Sequence, residues 1–310
     1  VALLDREGRI KPCGGAIPPR LMQDFHITED QLLTKVTTAR MISPTGRHVD
    51  IPIENGYVGM VDRKDFDPFL RARAAEAGAE YFTGTFVRIE RPDGTPVVIY
   101  RDKASQEERA LPCKLVIGAD GAKSRVGLAE VKDADKVPLV FAYHEIIKAP
   151  PKTEVYDPVR CDVIYDGAIS PDFYGWVFPH GDSASVGMGS ELSSVDLKKA
   201  TLALRTAAGL DHCETLRREG APIPLKPLDC WDNGKDVVLA GDAAGVVAPS
   251  SGEGIYYAMV GGRVAATACA ATLASGRVKD LKLARKLFMR EHKMVFRVLA
   301  SMQNAYYRSD

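Results

Sequence analysis

Short runs of apolar residues recur along the chain, and the two clearest end in turns that are rich in glycine and acid. Residues 115–118 read LVIG and are followed by ADG, and residues 237–240 read VVLA and are followed by GDAAG. Uninterrupted apolar runs of this length are typical of strands in a parallel sheet that is covered on both faces. These segments therefore predict parts of an α/β nucleotide-binding layer.

Two other segments carry helix patterns. A stretch rich in alanine and arginine is predicted to begin after an N-cap at Asp65 and to stop at Gly78, which suits the C′ position. Residues 255–276 are long and largely apolar, contain Arg263, and are rich in alanine and glycine. A membrane-spanning helix needs about 20 predominantly apolar residues. The small residues favour a buried helix packed closely against a sheet over a spanning one.

The segments between these elements contain more proline, more aromatic residues and more alternating patterns. We assign residues 20–60 and 131–230 to a substrate-binding domain with an antiparallel sheet, inserted twice into the first domain. Residues 1–19, 61–130 and 231–276 then form a Rossmann-like domain, in which residues 91–111 predict a polar hairpin. Residues 277–310 form an incomplete C-terminal helical segment. The fold class is α/β, and α+β when both domains are counted.

Composition narrows the class of partner. Lys plus Arg and Asp plus Glu both number 41, so no net charge attracts the chain to nucleic acid. The six cysteines are scattered and form no C-x-x-C pair, which favours reduced thiols over a disulfide framework or a zinc site. We therefore expect no bound metal and no nucleic-acid partner.

The segment VVLAGDAAGVVAPSSGEGIYYAM carries the strongest chemical signal. It places an acid at the carboxyl end of a strand, where α/β sheets bind ligands, and then opens a helix with a glycine pair. The N-terminus of a helix offers free N–H groups and a partial positive charge to an anionic ligand. The alternative is a plain strand-turn-helix connection with an Asp cap. The predicted cofactor residues are Gly241, Asp242, Gly252, Gly254 and Ile255.

The segment IGADGAKSR also places an acid and glycines directly after an apolar strand. It is a less specific signal, since a GADG sequence is usually only a turn. Its candidate cofactor residues are Gly118, Asp120, Gly121 and Arg125. Arg63, in VDRKDF, either meets the cofactor or lies on the surface.

The first residues, VALLDRE, end an apolar run in Asp5. A carboxylate in this place binds ribose hydroxyls in dinucleotide-binding units, whose G-x-G-x-x-G loop lies about 20 residues earlier. The chain contains no such loop. Asp5 is therefore either a ribose ligand whose loop precedes Val1 or an ordinary surface acid.

Taken together, these segments resemble a family. VALLDRE, VDRKDFDPFLRARA, LVIGADGAKSRV and VVLAGDAAGVVAPSSGEGIYYA are similar, in order, to the FAD-binding signature of flavoproteins with the para-hydroxybenzoate hydroxylase-like fold. RIKPCGGAIPPR, FAYHEII, DFYGWVFPHGD, EGAPIPLKPL and WDNGKDVVLAGDAAG resemble the geranylgeranyl reductases of chlorophyll and bacteriochlorophyll synthesis. The resemblance covers essentially all 310 residues.

The resemblance implies a fold, two cofactors and a reaction. FAD would be the bound cofactor, NADPH would reduce it, and three double bonds of a geranylgeranyl chain would be reduced to give phytyl. Asp5 would be the ribose-binding acid, with the first strand and glycine loop before it, and relatives would continue beyond the last residue. FAD binding by the present chain is then expected to be weak.

The resemblance also assigns substrate and catalytic candidates. On spacing alone, an aromatic strand is more often an ordinary buried sheet face, but the family match favours a wall for the prenyl chain. Cys13, in KPCGG, is a candidate proton donor, or else a half-buried small residue, and His144 is a weaker candidate. The substrate-binding residues are Tyr174, Trp176, Phe178, Pro179, Gly187 and Gly189.

Three expectations complete the interpretation. The prenyl substrate is either free or bound to the pigment, the protein is cytoplasmic, and peripheral association with the photosynthetic membrane is allowed. One rival function is an FAD-dependent monooxygenase of the same fold, which would need a compact polar pocket. The other rival is a non-catalytic fragment.

Overall fold

The computed structural model describes residues 1–54 and 56–306. Asn55, inside the predicted 20–60 segment, and residues 307–310 of the predicted C-terminal segment lie outside the described residues.

Within residues 1–54 and 56–306 the strands form four sheets. In chain order they are β1 (Ala2–Asp5), β2 (Ala16–Ile17), β3 (Thr34–Val36), β4 (Thr38–Ile42), β5 (His48–Pro52), β6 (Val58–Met60), β7 (Glu80–Glu90), β8 (Val97–Asp102), β9 (Glu108–Pro112), β10 (Val116–Gly118), β11 (Leu139–Lys148), β12 (Arg160–Ile164), β13 (Gly175–His180), β14 (Ser183–Ser190), β15 (Thr215–Pro224) and β16 (Val237–Leu239). The α-helices are α1 (Pro19–Phe25), α2 (Arg63–Glu76), α3 (Arg125–Glu130), α4 (Leu197–Ala207), α5 (Ile255–Ser275) and α6 (Leu283–Tyr306).

The nucleotide-binding layer contains two parallel strand pairs. β1 pairs with β7, whose other edge carries the predicted hairpin, β8 and β9. β10 pairs with β16, and the three residues of β16 are fully buried, whereas Ile117 in β10 is 41% exposed. The apolar runs thus form parallel strands as predicted, but only β16 is covered on both faces. In the described residues, β1 and β10 are not hydrogen-bonded to each other. The strand and glycine loop expected before Val1 stay a prediction.

The second layer is a seven-stranded sheet in the order β15-β11-β14-β13-β12-β4-β5. Its strands come from residues 20–60 and 131–230, and the division of the chain into domains stays a prediction. The sheet is antiparallel as predicted at five of its six junctions, and β12 and β4 run parallel at the sixth. These two strands belong to different insertions, so no hairpin forces them to run in opposite directions.

The boundary at residue 20 stays a prediction, and the packing near it favours a later boundary. Leu21 and Ile27 are buried in the same core cluster as Val61 and Phe66, which flank the start of α2, and as the residues of β16. The segment that begins with α1 therefore packs with the nucleotide-binding layer before the chain enters the seven-stranded sheet at β4.

The start of α2 differs from its prediction. The N-cap is Asp62, whose side chain accepts a hydrogen bond from the Lys64 backbone N–H at 2.8 Å, whereas Asp65 lies in the first turn. Both acids precede the same apolar pattern, so the sequence did not separate them. The end is confirmed, since the helix stops before Gly78, which has a φ of +90°.

Helix α5 is buried along one stripe rather than all round. The stripe includes Val260, Gly261, Ala265 and Ala268, and a Cβ at Gly261 would lie 3.0 Å from the Gly241 backbone nitrogen. The helix is long and apolar enough to cross a membrane by length and composition alone. In the described structure it packs against the turn after β16 and against α6.

Candidate active site

The turn after β16 presents Asp242. Gly241 has a φ of +60°, and the turn that follows packs against α5. The Asp242 side chain is 10% exposed, and Lys11 Nζ donates a hydrogen bond to its Oδ2 at 2.7 Å. Its Oδ1 lies 3.6 Å from the Cβ position of Gly254, at the start of α5. One oxygen is therefore paired with a cation, and the other faces the loop that was predicted to approach the cofactor.

The backbone N–H groups at the start of α5 are not all free, although the sequence predicts free groups there. The Glu253 carboxylate accepts a hydrogen bond from the Tyr256 backbone N–H at 2.9 Å through Oε1. Its Oε2 is buried and has no hydrogen-bond partner among the described residues. Burial raises the pKa of Glu253 to about 7. Gly252, Gly254 and Ile255 therefore lie beside a carboxyl group that takes up a proton near neutral pH.

The aromatic residues before and within β13 form a continuous row. The Tyr174 and Trp176 ring centroids are 6.0 Å apart, and those of Trp176 and Phe178 are 6.2 Å apart. The Tyr174 hydroxyl donates a hydrogen bond to the Ser251 backbone oxygen at 2.5 Å. At the other end, the Cβ position of Gly14 is 3.2 Å from Phe178 Cδ2. The row thus runs from the loop before α5 to the turn that holds Cys13.

Three other predicted substrate residues have different roles. Cβ atoms at Gly187 and Gly189 would lie 2.6 Å from Trp176 and 2.7 Å from Phe173, so both glycines make room for rings. Pro179 is one residue out of step with the row, and alternation along a strand directs its side chain to the opposite face. The candidacy of Pro179 as a substrate-binding residue stays a prediction.

The row is largely covered in this structure. Tyr174 and Trp176 are 7% and 5% exposed, and Val163 and Tyr165 pack against the same cluster. A prenyl chain that contacts these rings must displace some of the side chains that pack on them.

Cys13 lies in a tight turn at the Phe178 end of the row. Gly15 has a φ of +72° and donates its backbone N–H to Cys13 Sγ at 3.4 Å. A Cβ at Gly15 would meet Val61 O at 2.3 Å and His180 Nε2 at 2.5 Å, so only glycine fits. Arg63 is ion-paired with Asp67 at 2.5 Å and lies beside the Cys13 thiol. Burial alone would lower the pKa of Arg63, and the adjacent thiol and carboxylate raise it.

His144 supports the row from behind. It is 2% exposed, its Nδ1 is 2.9 Å from Ser185 Oγ, and the same oxygen accepts a hydrogen bond from Trp176 Nε1 at 3.0 Å. Its Nε2 lies 3.1 Å from Glu219 Oε2. His144 therefore helps to fix the indole, and its candidacy for proton delivery stays a prediction.

The turn after β10 lies beside the turn after β16. The Ala240 backbone N–H donates to the Gly118 backbone oxygen at 2.9 Å, and Gly121 has a φ of +91° with open space around its Cβ position. Asp120 is engaged locally, because it accepts hydrogen bonds from Ser124 Oγ and from the backbone N–H groups of Arg125 and Val126. A cofactor group that donates to Asp120 would have to share its carboxylate oxygens with these three donors.

Asp5 lies outside the pair formed by β10 and β16. It ends β1, on the other strand pair, and Arg71 donates a hydrogen bond to its Oδ2 at 2.7 Å. Arg125 donates to Phe86 O at 3.4 Å. The structure therefore groups Asp242, Gly252, Gly254, Cys13 and the aromatic row, and leaves Asp5 at a separate edge.

Sequence reasoning did not select His180. Its Nδ1 lies 3.0 Å from the Phe178 backbone oxygen and its ring packs on the turn of Gly15. Burial lowers the pKa of His180 to about 4, so the ring is neutral at pH 7. The stretch WVFPHGD, which provides the aromatic row, was the available signal.

Comparison with known proteins identifies the family. The FAD binding domain family matches residues 16–137. A geranylgeranyl diphosphate reductase of Rhodobacter capsulatus is 67% identical over 310 residues, which cover 100% of this chain and 79% of the relative. The chain belongs to the geranylgeranyl diphosphate reductase family.

More distant members and solved structures agree. A chloroplastic geranylgeranyl diphosphate reductase of Oryza sativa subsp. japonica is 39% identical, over 97% of this chain and 68% of the relative. The structure of a geranylgeranyl bacteriochlorophyll reductase-like protein from Thermoplasma acidophilum matches with a TM-score of 0.89 at 21% identity, over 100% of this chain and 82% of that one. The structure of a flavin-dependent brominase matches with a TM-score of 0.75 at 17% identity, over 97% of this chain and 87% of that one. These structural matches confirm the fold.

The residues of this geranylgeranyl reductase family member fit FAD. Asp242 Oδ1 faces the glycine loop. Gly252 has a φ of +66°, which favours glycine, and its backbone therefore carries no side chain toward a ligand. Glu253 Oε2 is a buried polar atom without a partner in the described part of the chain. These groups lie between β16 and the aromatic row, where an isoalloxazine ring would meet both an acceptor and an apolar face.

Proposed function

We propose that the chain reduces geranylgeranyl double bonds to the phytyl chain, with FAD as the bound cofactor and NADPH as the reductant. The observation that carries the proposal is the aromatic row, which joins the loop before α5 to the Cys13 turn. The names of the relatives from Rhodobacter capsulatus and Oryza sativa support geranylgeranyl diphosphate as the substrate class.

The row suits a prenyl chain because such a chain has no hydrogen-bonding group along its length. Apolar burial then supplies the binding free energy, at roughly 25 cal/mol per Å² removed from water. Tyr174, Trp176 and Phe178 form one continuous apolar row, which a prenyl chain reaches by displacing side chains that pack on it. The hydrogen bond from Trp176 to Ser185 fixes the central ring. Successive double bonds of one chain could occupy the same place as the chain slides along this face.

FAD, when bound, supplies the hydride that one alkene carbon receives. The chain's own residues must hold the alkene, exclude water and deliver a proton to the other carbon. Cys13 lies at the end of the row beside Phe178 and Gly14, and we assign it as the candidate proton donor. Arg63, held by Asp67, is fixed beside the thiol.

The remaining partners follow from the chemistry of the substrate. The prenyl group is accepted either as the free diphosphate or as the pigment ester. Because a geranylgeranyl chain partitions into membranes, we propose a cytoplasmic protein with peripheral contact to the photosynthetic membrane. The proposal involves no metal and no nucleic acid.

A single-turnover experiment tests the proposal. The flavin-loaded protein is reduced without oxygen and mixed with geranylgeranyl diphosphate or with the geranylgeranyl pigment ester, and flavin absorbance is followed. We expect at least one of the two to reoxidise the flavin as its chain is reduced. Absence of reoxidation by both, in protein that carries a full complement of FAD, would contradict the proposal.

A further inference from the structure

Strand β15 of the seven-stranded sheet carries two charged residues, one of which contacts the start of α2. Arg217 and Glu219 are two positions apart on the strand and therefore lie on the same face of the sheet. Arg217 Nε donates a hydrogen bond to Glu219 Oε1. Its Nη2 donates to both carboxylate oxygens of Asp62, at 3.2 Å and 3.1 Å. The guanidinium thus bridges a carboxylate of the sheet and the N-cap of α2.

The bridge is partly shielded from water. The side chains of Arg217 and Asp62 are 28% and 21% exposed, and that of Glu219 is 9% exposed. Burial alone would lower the pKa of Arg217, and the two carboxylates raise it. Burial alone would raise the pKa of Glu219, and the adjacent His144 and Arg217 lower it. Arg217 and Glu219 are therefore both charged at neutral pH.

Glu219 connects this bridge to the aromatic row. His144, on β11, lies directly opposite Glu219, and its Nε2 is 3.1 Å from Glu219 Oε2. Ser185 Oγ lies 2.9 Å from His144 Nδ1 and accepts a hydrogen bond from Trp176 Nε1 at 3.0 Å. A line of contacts therefore runs from the cap of α2 through β15, β11 and β14 to the indole on β13.

A glycine allows this line to cross the sheet. Gly187, on β14, lies opposite both His144 and Trp176. A Cβ at Gly187 would lie 2.3 Å from His144 Cβ and 2.6 Å from Trp176 Cζ2, so a side chain there would separate the imidazole from the indole. Without one, the two ring centroids are 6.0 Å apart. The position of the indole therefore depends on what holds His144.

The two ends of the row are held by other contacts. Tyr174 donates to the loop before α5, and Phe178 packs on Gly14. Trp176, between them, has its hydrogen-bond partner within the sheet, at Ser185. The position of the central ring relative to the nucleotide-binding layer is therefore set through the sheet.

Asp62 connects the other end of the bridge to the candidate proton donor. It caps α2, and the next residue, Arg63, lies beside the Cys13 thiol. The preceding residue, Val61, donates its backbone N–H to the Gly15 backbone oxygen at 2.8 Å, in the turn that follows Cys13. The bridge thus ends on the segment that holds the thiol in place.

We propose that Arg217 is a positioning residue for prenyl reduction, which holds Trp176 in register with the Cys13 turn by bridging Glu219 and Asp62. The inference rests on the proposed function, in which the row holds the alkene while a hydride and a proton reach its two carbons. Each of the three reductions needs the chain to be held again in the same place. A loosened central ring therefore slows every step and releases partly reduced chains.

Three variants separate the bridge from its charge. Arg217→Met removes the guanidinium, and Arg217→Lys keeps the charge but offers one nitrogen in place of the two that bind the carboxylates. Arg218→Met is the matched control. Arg218 is the next residue on β15 and also pairs with a carboxylate of β11, Glu145, at 3.2 Å, but on the opposite face of the sheet.

The first readout is the indole N–H signal of Trp176 in two-dimensional NMR of the flavin-loaded protein without substrate. The chain has two tryptophans, so Trp231, which is buried with β16 and donates to the Leu228 backbone oxygen at 3.1 Å, is an internal reference. We expect the Trp176 signal to shift or broaden in Arg217→Met and in Arg217→Lys, while the Trp231 signal stays. Arg218→Met should leave both signals in place.

The second readout is the rate of each half-reaction. We expect Arg217→Met to slow reoxidation of the reduced flavin by the prenyl substrate roughly tenfold, because misplacement of a reacting group is costly in rate. The share of partly reduced products should rise, and flavin reduction by NADPH should not change. Arg217→Lys should resemble Arg217→Met, and Arg218→Met should resemble the wild type.

Three results would overturn the proposal. They are an unchanged Trp176 signal in Arg217→Met, wild-type behaviour of Arg217→Lys in both readouts, and an equal change, or none, in the two half-reactions of Arg217→Met. Urea denaturation checks that each variant is folded. If Arg217→Met does not fold, Asp62→Asn, which keeps an oxygen to cap α2, tests the same bridge from its other end. Absence of prenyl turnover in the wild type would contradict the proposed function by itself, because the indole signal is read without substrate.

Discussion

Lys11 and Asp242 are 231 residues apart in the chain, and their side chains meet with 2.7 Å between Nζ and Oδ2. Asp242 is 10% exposed at the carboxyl end of β16, while Lys11 is 43% exposed and precedes the Cys13 turn by two residues. The ion pair therefore joins the candidate cofactor acid to the segment that carries the candidate proton donor.

This relationship leads to a prediction for FAD affinity. Asp242→Asn keeps the shape of the side chain but removes the charge, and so weakens acceptance of a ribityl hydroxyl and leaves Lys11 without its partner. We expect FAD binding to weaken by about 1–3 kcal/mol. Fluorescence titration of FAD measures this change. Asp93→Asn, at an exposed position between β7 and β8, is the control. Full flavin content with unchanged affinity in Asp242→Asn would show that Asp242 is not a cofactor ligand.

A second prediction concerns the central ring of the aromatic row. Trp176→Ala should impair turnover of the prenyl substrate and leave flavin reduction by NADPH intact, because only the alkene needs the wall for its position. Misplacement of a reacting group by about 1 Å can cost on the order of 100-fold in rate. Partly reduced products should accumulate, and stopped-flow absorbance with chromatography of the products checks both effects.

Folding must be separated from function in this variant. Loss of a buried Trp costs about 3–5 kcal/mol in stability, so Trp176→Phe, which keeps a ring, serves as the milder variant. If flavin reduction and prenyl turnover fall together in both variants, Trp176 is a core residue and the row is not a substrate wall.

The third prediction concerns stability against pH. Burial raises the pKa of Glu253 from 4.5 to about 7, so the folded protein binds this proton more tightly than the unfolded chain does. The group's contribution is fully present below pH 4.5 and is lost as the pH rises to about 7, by about 3 kcal/mol in total.

Glu253→Gln provides the measurement. Its amide oxygen can still accept from the Tyr256 N–H, but it does not titrate. We expect the variant to gain stability relative to the wild type between pH 5 and pH 8 in urea denaturation. A constant difference between the two proteins over this range would show that Glu253 does not titrate there.

A fourth prediction concerns the support of β16. Arg91 binds both Asp236 and Glu130 at 2.7 Å, and these carboxylates are 9% and 12% exposed. Arg91→Met leaves two largely buried charges without a cation and should cost about 3 kcal/mol. Arg88→Met is the matched control, because Arg88 pairs with Glu90 and Glu108 on the exposed side of the same hairpin and should lose less than about 1 kcal/mol. Equal losses in urea denaturation would contradict this account.

Local patterns predicted much of the fold. The apolar run at 237–240 gave β16 because it lacks any polar residue, and the two-residue period placed Tyr174, Trp176 and Phe178 on one face. The same period places Pro179 on the opposite face of the strand.

Long-range geometry could not be predicted in this way. Nothing local to β4 or β12 indicates that they pair in parallel, and nothing near Lys11 indicates that it meets Asp242. The choice of Asp62 over Asp65 as the cap depends on backbone geometry at the entry to α2, since Asp62 is extended, with φ of −91° and ψ of 128°.

The central claim is flavin-dependent reduction of a geranylgeranyl chain, and mass spectrometry of the products tests it most directly. Flavin-loaded protein is incubated with NADPH and geranylgeranyl diphosphate or its pigment ester, and protein stripped of FAD is run in parallel. The account predicts products that gain two hydrogens in each of three successive steps, only when FAD is present. An oxygenated product, or an unchanged prenyl chain while NADPH is consumed, would contradict it.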